Sequence, residues 1–327
     1  MEKEDNNLTR RDFISRTAKT GVALVTTGVL GYWLKKRERF PGEVELSTTM
    51  NDFRVNLPAN LPDIVIVRNS SPAELVKSAI NELGGMSRFI SRGDVVVIKP
   101  NIGWDRVPKQ AANTNPEVVK TVVELCYNAG AKKVIVSDVS CNDARRCFRR
   151  SGIARAVKSV GGYVILPEKR KFKDMKLGGK VLDVWPVFTP FVETDKLINI
   201  PIVKHHNLAG ATMAMKNWYG ILGGRRNQLH QNIHESIADL CNFMRPTLVI
   251  LDAYRILLTN GPQGGNIQDT KEIRTIAVSV DQVAIDSFGA TLLNKNPEDF
   301  GFIKKGYERG LGNMKLNEMN IRKINLG

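Results

Sequence analysis

All four histidines of this 327-residue chain, His205, His206, His230 and His234, fall within one stretch of thirty residues. Imidazole titrates nearest neutrality of all side chains and is the commonest transition-metal ligand, so such crowding points to a functional site. His230 and His234 stand at i and i+4, which on a helix sets two rings on one face, a spacing suited to a divalent transition metal. Asn232 offers another arrangement: as the cap of a helix over 233–243 it would leave His230 in the preceding loop. His205, His206, His230 and His234 are therefore the expected metal ligands, with His206 also an acid/base group.

Between the two histidine pairs runs Ala209-Gly-Ala-Thr-Met-Ala-Met-Lys-Asn-Trp-Tyr-Gly220, followed by Gly223-Gly224 and Arg225-Arg226. Small residues allow close backbone approach, and Lys216 with Arg225 and Arg226 could hold a phosphate or carboxylate. A packed helix with its basic end in water would use the same residues. Lys216, set among apolar and aromatic neighbours, favours the anion site.

These groups need a scaffold, and the hydropathy pattern supplies one. Short β-branched runs occur at 64–67, 95–98, 134–136, 163–166, 197–200, 248–251 and 273–280. Each is continuously apolar rather than alternating, as in strands buried on both faces. Ser71-Pro72 opens a helix that Gly84-Gly85 closes, and Asn115-Pro116 opens another that ends at Gly130. The expected fold class is α/β, a largely parallel sheet with helices on both faces. Lys99 and Asn101, Asp138, Lys204 to His206 and Asp252 follow strands, at the edge where open α/β sheets bind ligands. Asp281 is placed to cap a helix, and Asp286, on that helix's apolar face, needs a lysine or backbone donor as partner.

The chain carries 48 Lys and Arg against 33 Asp and Glu, a formal net charge of +15, with 42% hydrophobic residues. That hydrophobic content and length suit one large or two ordinary domains with a real core, not a disordered chain. Nine of the basic and five of the acidic residues lie in the first 39, so the remainder is still basic. A small anionic substrate or cofactor, rather than nucleic acid, is the expected partner. Four scattered cysteines without a CxxC pair make an iron–sulfur cluster held by this chain alone unexpected. Cys141 and Cys147 could pair in an oxidising compartment or remain free thiols.

Residues 9–14, Thr-Arg-Arg-Asp-Phe-Ile, resemble the twin-arginine export signal, and the apolar run 21–34 precedes Lys35, Lys36 and Arg37 as in a signal peptide. Fourteen residues rising ~1.5 Å each are short for a ~30 Å hydrocarbon core, so a tether or a cleaved signal is more natural than a stable span. The resemblance implies a twin-arginine translocase as partner, export to the periplasm or the extracytoplasmic face of the membrane, and folding beforehand. The segments expected are an export signal or membrane tether at 1–39, a proline-bearing linker at 40–60 and an α/β domain at 61–327.

Taken together, Ile98-Lys-Pro-Asn101, Thr114-Asn-Pro116, Gly130 to Asp138, Ile200 to His205, Met215-Lys-Asn-Trp-Tyr-Gly220, His230, Asp252, Gly261-Pro262 and Asp281 to Asp286 resemble the family catalogued as domain of unknown function 362. The match runs over about 95–312. A smaller resemblance joins Lys204 to Lys216 and Gly220 to nickel-pincer lactate racemases. It implies that His206 and Lys216 hold substrate and cofactor and that His230 serves the metal. Ala214 and Met215 stand where that family has two glycines, and its earlier adjacent-histidine motif is missing. The expectation is thus an exported metal- or cofactor-dependent enzyme for a small anion. His206, Lys216 and Asp138 would be its reacting and positioning groups, and Lys99, Asn101, Asn217 and Arg225 would bind the cofactor. A non-catalytic metal or cofactor carrier for another exported enzyme is the alternative.

Overall fold

Alternate residues of the central strands face opposite hydrophobic layers. Ile64 and Ile66 of β1 (Ile64–Arg68) pack into one core and Val65 and Val67 into the other. β2 (Val95–Pro100) repeats this, with Val97 in the first core and Val96 and Ile98 in the second. Apolar side chains on both faces require cover on both faces, which is why these runs read as continuous.

The computed structural model describes residues 52–327. The twin-arginine motif, the apolar run after it and most of the expected linker lie outside the described residues. The remaining strands of the main sheet are β3 (Lys133–Val136), β4 (Tyr163–Val164), β7 (Lys196–Ile200), β8 (Ile202–His206), β9 (Gly210–Thr212), β10 (Leu248–Leu257), β11 (Thr270–Ser279) and β12 (Ile321–Asn325). Their order is β12-β1-β11-β10-β7-β2-β3-β4, with β8 paired to β10 and β9. β5 (Phe172–Lys176) and β6 (Val184–Phe188) form a separate antiparallel ribbon.

From β10 through β7, β2, β3 and β4 every pairing is parallel, as expected. β11 departs from that pattern, running antiparallel to both β10 and β1. β10 and β11 are each ten residues long and pair along most of their length, so the expected strand ends at Leu251 and Val280 were set too short and one residue too far. The expected strand at 163–166 shrinks to two residues.

Four helices cover the second core: α1 (Pro72–Glu82), α2 (Pro116–Asn128), α3 (Ala144–Arg150) and α4 (Ile153–Lys158). Four cover the first: α5 (Ala214–Asn217), α6 (Ile233–Phe243), α7 (Gln282–Leu292) and α8 (Gly301–Glu308). The expected caps are in place. Ser71 accepts from the Glu74 amide in a reciprocal capping box, Asn115 accepts from the Glu117 amide, and Asp281 accepts from the Ala284 amide. Each satisfies an amide that the first helical turn leaves without a partner. Cys141 and Cys147 are free thiols, the first exposed and the second buried.

Candidate functional site

β2, β3, β7 and β8 deliver their C-terminal ends to one edge of the sheet, and a cavity of about 570 Å³ opens there. Asn101, Asp138, Lys204, His206, Lys216, Asn217 and His230 all line it. The strand-end reasoning therefore holds for Asn101 and Asp138, whereas Lys204 and His206 lie within a further strand, β8, that carries them to the same cavity. Lys99 lies behind them, fully buried, with its Nζ 2.7 Å from Asp138 Oδ1 and 3.2 Å from Asn217 Oδ1.

Asp138 holds two elements at once, since its other oxygen accepts from the Ile102 amide at 2.6 Å. Lys99 in turn anchors α5 through Asn217, whose Nδ2 donates to Asn199 Oδ1 (2.8 Å) and to the Lys99 carbonyl (3.3 Å). Burial pulls the Lys99 ammonium below its ordinary pKa while Asp138 pulls it back up. A buried pair of this kind is tolerable only because both ions have further hydrogen bonds. Gly220 explains why the family-like stretch ends in glycine: a Cβ there would overlap Asp138 Oδ1 and lie 2.6 Å from Lys99 Nζ.

In front of this pair stand two more buried lysines. Lys204 Nζ donates to Asn101 Oδ1 (2.9 Å) and to the Ala112 carbonyl (2.6 Å). Among the described residues Lys216 Nζ makes no hydrogen bond or ion pair, and it sits 4.2 Å above the centre of the Tyr219 ring. Neither faces a carboxylate of its own, since Asp138 is committed to Lys99. Burial lowers the pKa of Lys204 to about 7 and that of Lys216 to about 8, with the Arg226 guanidinium adding to the second shift. Arg226, also on the cavity wall, ties the loop after β3 to the 3₁₀ turn that follows α5 by donating to the carbonyls of Val139, Ser140 and Tyr219.

The histidines do not behave as a set. Residues of a strand alternate faces, so Lys204 and His206 look into the cavity while His205 turns away and accepts from the Gly261 amide through Nδ1 at 3.1 Å. His234 stacks on Phe302 at 6.2 Å and its Nδ1 has no hydrogen-bond partner. Only His206 and His230 meet, stacked at 5.9 Å between ring centres. The four-histidine metal cluster is therefore corrected to a pair. Among the described residues no group of three or more His, Cys, Asp or Glu is placed to hold a metal ion.

Hydrogen bonding narrows the pair further. His206 Nδ1 accepts from the amides of Leu208 and Ala209, both at 3.2 Å. A neutral ring with an accepting Nδ1 carries its proton on Nε2, so neither nitrogen keeps a lone pair for a metal. Burial, reinforced by Lys216, Lys204 and His230, lowers its pKa to about 2, and the ring stays neutral at physiological pH. His206 is thus a neutral N–H donor rather than a ligand or a base. His230 is half-buried, shifted down by burial and by Lys216, and remains open to proton exchange.

Two further sequence expectations need correction. Arg225 is exposed, and its neighbour Arg226 lines the cavity instead. Asp252 is not at a strand end: β10 continues to Leu257, and this buried carboxylate accepts from the Asn115 and Tyr254 amides. Tyr219, Thr212 and Cys141 line the cavity and were not anticipated; only the proximity of Tyr219 to Lys216 in sequence hinted at any of them.

Fold and site together define an α/β domain with a basic cavity at the carboxyl edge of its parallel strands. The chain belongs to the family described as domain of unknown function DUF362, whose profile matches residues 96–291. It is 25% identical over 237 residues to a thylakoid-associated protein of Synechocystis sp., a match covering 68% of this chain and 70% of that one. Among solved structures, a Thermotoga maritima protein matches at 13% identity and a TM-score of 0.39, over 73% of this chain and 58% of its own. The lactate racemase apoprotein of Thermoanaerobacterium thermosaccharolyticum matches at 12% identity and a TM-score of 0.38, over 77% and 60% respectively. This chain thus spans well under two thirds of either solved chain.

Proposed function

We propose that the cavity binds a small carboxylate or phosphate and acts on it, with Lys204 and Lys216 holding the anion. The observation that carries this reading is the pair of buried lysine side chains on the cavity wall, neither in an ion pair with a carboxylate among the described residues. Uncompensated buried charge is costly, and a protein that retains it gains from a ligand that supplies the opposite sign. In this reading His206 donates its Nε2 proton to a ligand oxygen and His230 exchanges a proton with the reacting group. Asp138 reaches the ligand only indirectly, by fixing Lys99 and the start of the loop after β2.

A metal ion held by side chains alone is not part of the proposal, because the donors do not fit one. His206 Nδ1 is occupied by two amides, and His230 by itself cannot make a site that needs three or four protein ligands. An extracytoplasmic setting is part of it, reached through the twin-arginine translocase and the motif at 9–14. The name of the Synechocystis relative supports an association with a membrane system. Among the described residues no helix is long and apolar enough to cross a bilayer.

Calorimetric titration with inorganic phosphate, pyruvate and lactate tests the site. Binding at pH 6.5 that weakens by pH 9, as the lysines lose their protons, is expected. Affinity that is flat across that range would remove the lysines from the site. Turnover of a bound acid separates an enzyme from a carrier that only retains it.

A further inference from the structure

We propose that Lys216 is an amine nucleophile that condenses with the carbonyl carbon of a small 2-oxo acid to form an imine. The inference rests on the anion-binding reading and names a substrate class for it. Lys216 is 6% exposed, lines the cavity and has no hydrogen-bond or carboxylate partner among the described residues. A lysine held to bind a permanent counter-ion would sit beside one, as Lys99 does. A lysine kept free and desolvated, with other cations nearby, is the arrangement that makes an amine reactive.

Its neighbours match the rest of such a substrate. Protonated Lys204 uses two of its three N–H groups on Asn101 and Ala112 and keeps the third for a carboxylate, whose charge favours that protonated form. His206 presents an Nε2–H suited to a carbonyl oxygen, since its Nδ1 is occupied by two amides. Carboxylate, carbonyl oxygen and electrophilic carbon are the three groups that a 2-oxo acid places on adjacent atoms.

The step balances without an oxidant or reductant. The Lys216 lone pair attacks the carbonyl carbon, and the carbonyl π pair moves onto oxygen to give a carbinolamine. The two amine protons pass to that oxygen, the C–O bond breaks, and water departs as the C=N bond forms. His230 is the proton carrier, half-buried and stacked on His206. With its pKa near 8 rather than 10.5, Lys216 is a free amine in about a quarter of molecules at pH 7.5, against ~0.1% for an ordinary lysine.

The experiment treats the full chain with pyruvate and cyanoborohydride at pH 7.5, maps carboxyethyl-lysine by peptide mass spectrometry, and measures thermal stabilisation by pyruvate and by lactate in parallel. Lys216 should be modified at least about tenfold faster than exposed lysines such as Lys295 and Lys304, and Lys216→Arg should lose the adduct at that position. If both acids stabilise the protein but no adduct forms on Lys216, the imine is overturned and the anion site stands. If Lys216 reacts no faster than Lys295 and Lys304, the nucleophile assignment is overturned as well. If neither acid stabilises the protein and no adduct forms, both readings fall together.

Discussion

Replacing Lys216 by methionine should make the protein more stable at pH 7 while abolishing its stabilisation by small anions. Methionine keeps an unbranched apolar stem beside the Tyr219 ring, so the change removes a charge more than a contact surface. The magnitude follows from proton linkage. The Lys216 pKa falls from 10.5 in the unfolded chain to about 8 in the fold, so between those values the unfolded state binds more protons. Its burial therefore costs about 3 kcal/mol at pH 7, a penalty that shrinks as pH rises and falls below about 1 kcal/mol by pH 10. Losing the contact with the Tyr219 ring returns about 1 kcal/mol of that, for a net gain of about 2 kcal/mol at pH 7. For a domain of this size the gain corresponds to about 3 °C in Tm. Thermal unfolding of both proteins at pH 7 and pH 10, each with and without phosphate, reads the effect. A variant that is less stable at pH 7, or a difference that does not shrink toward pH 10, would refute the reasoning and make Lys216 a structural residue.

Gly220→Ala should destabilise the domain by about 3 kcal/mol in denaturant titration, because the new methyl overlaps the Asp138 carboxylate and neither partner of the Lys99 pair can retreat. Asp138→Asn should cost about 3–5 kcal/mol by the same measurement, since it leaves Lys99 buried without its counter-charge; a loss under 1 kcal/mol would show that Lys99 is neutral in the fold. Protein dialysed against zinc or nickel should retain no stoichiometric metal dependent on His206, and metal lost on His206→Ala would overturn the assigned Nε2–H tautomer. Changing Arg10 and Arg11 together to lysine should leave the protein in the cytoplasm on fractionation, because paired guanidiniums are not replaced by ammonium groups; unchanged export would remove the twin-arginine reading.

The parts of the fold that were legible in the sequence are those where one physical signal dominates. Continuous Val and Ile runs marked β1, β2, β3 and β7, and the caps at Ser71, Asn115 and Asp281 were readable because a short polar side chain before an apolar helix has one common use. The β8–β9 hairpin was not readable. Its first strand carries Lys204, His205 and His206, and buried polar residues erase the hydropathy contrast that identifies a strand. The same hairpin explains the histidine error. Adjacent histidines look like neighbours in sequence, but adjacency on a strand sends one ring into the cavity and the other to the Gly261 amide. The i, i+4 pair failed because α6 starts at Ile233, which leaves His230 in a one-turn 3₁₀ segment and His234 on the helix beside Phe302.

The most telling feature of the site is how much of the interior serves one short segment. α5 has only four residues, too few to hold its own geometry. Asp286, on α7, accepts from the Ala214 and Met215 amides at 2.6 and 3.0 Å, satisfying two donors at the start of that helix. Asn199, on β7, donates to the Ala214 carbonyl at 3.0 Å, and Gln282 accepts from the Trp218 indole. Asn217 is held by Lys99, Asn101 and Asn199. Every one of these groups is buried, so each would cost stability were it not paired. An apolar core would pack more cheaply. What the polar arrangement supplies is direction: residues 214–218 are pinned from the sheet, from α7 and from the Lys99–Asp138 pair, and the side chain left unpinned at the centre of that segment is Lys216. On the proposed reading, a backbone fixed on both sides of one lysine, whose amine has no partner among the described residues, presents that amine to the ligand of the cavity.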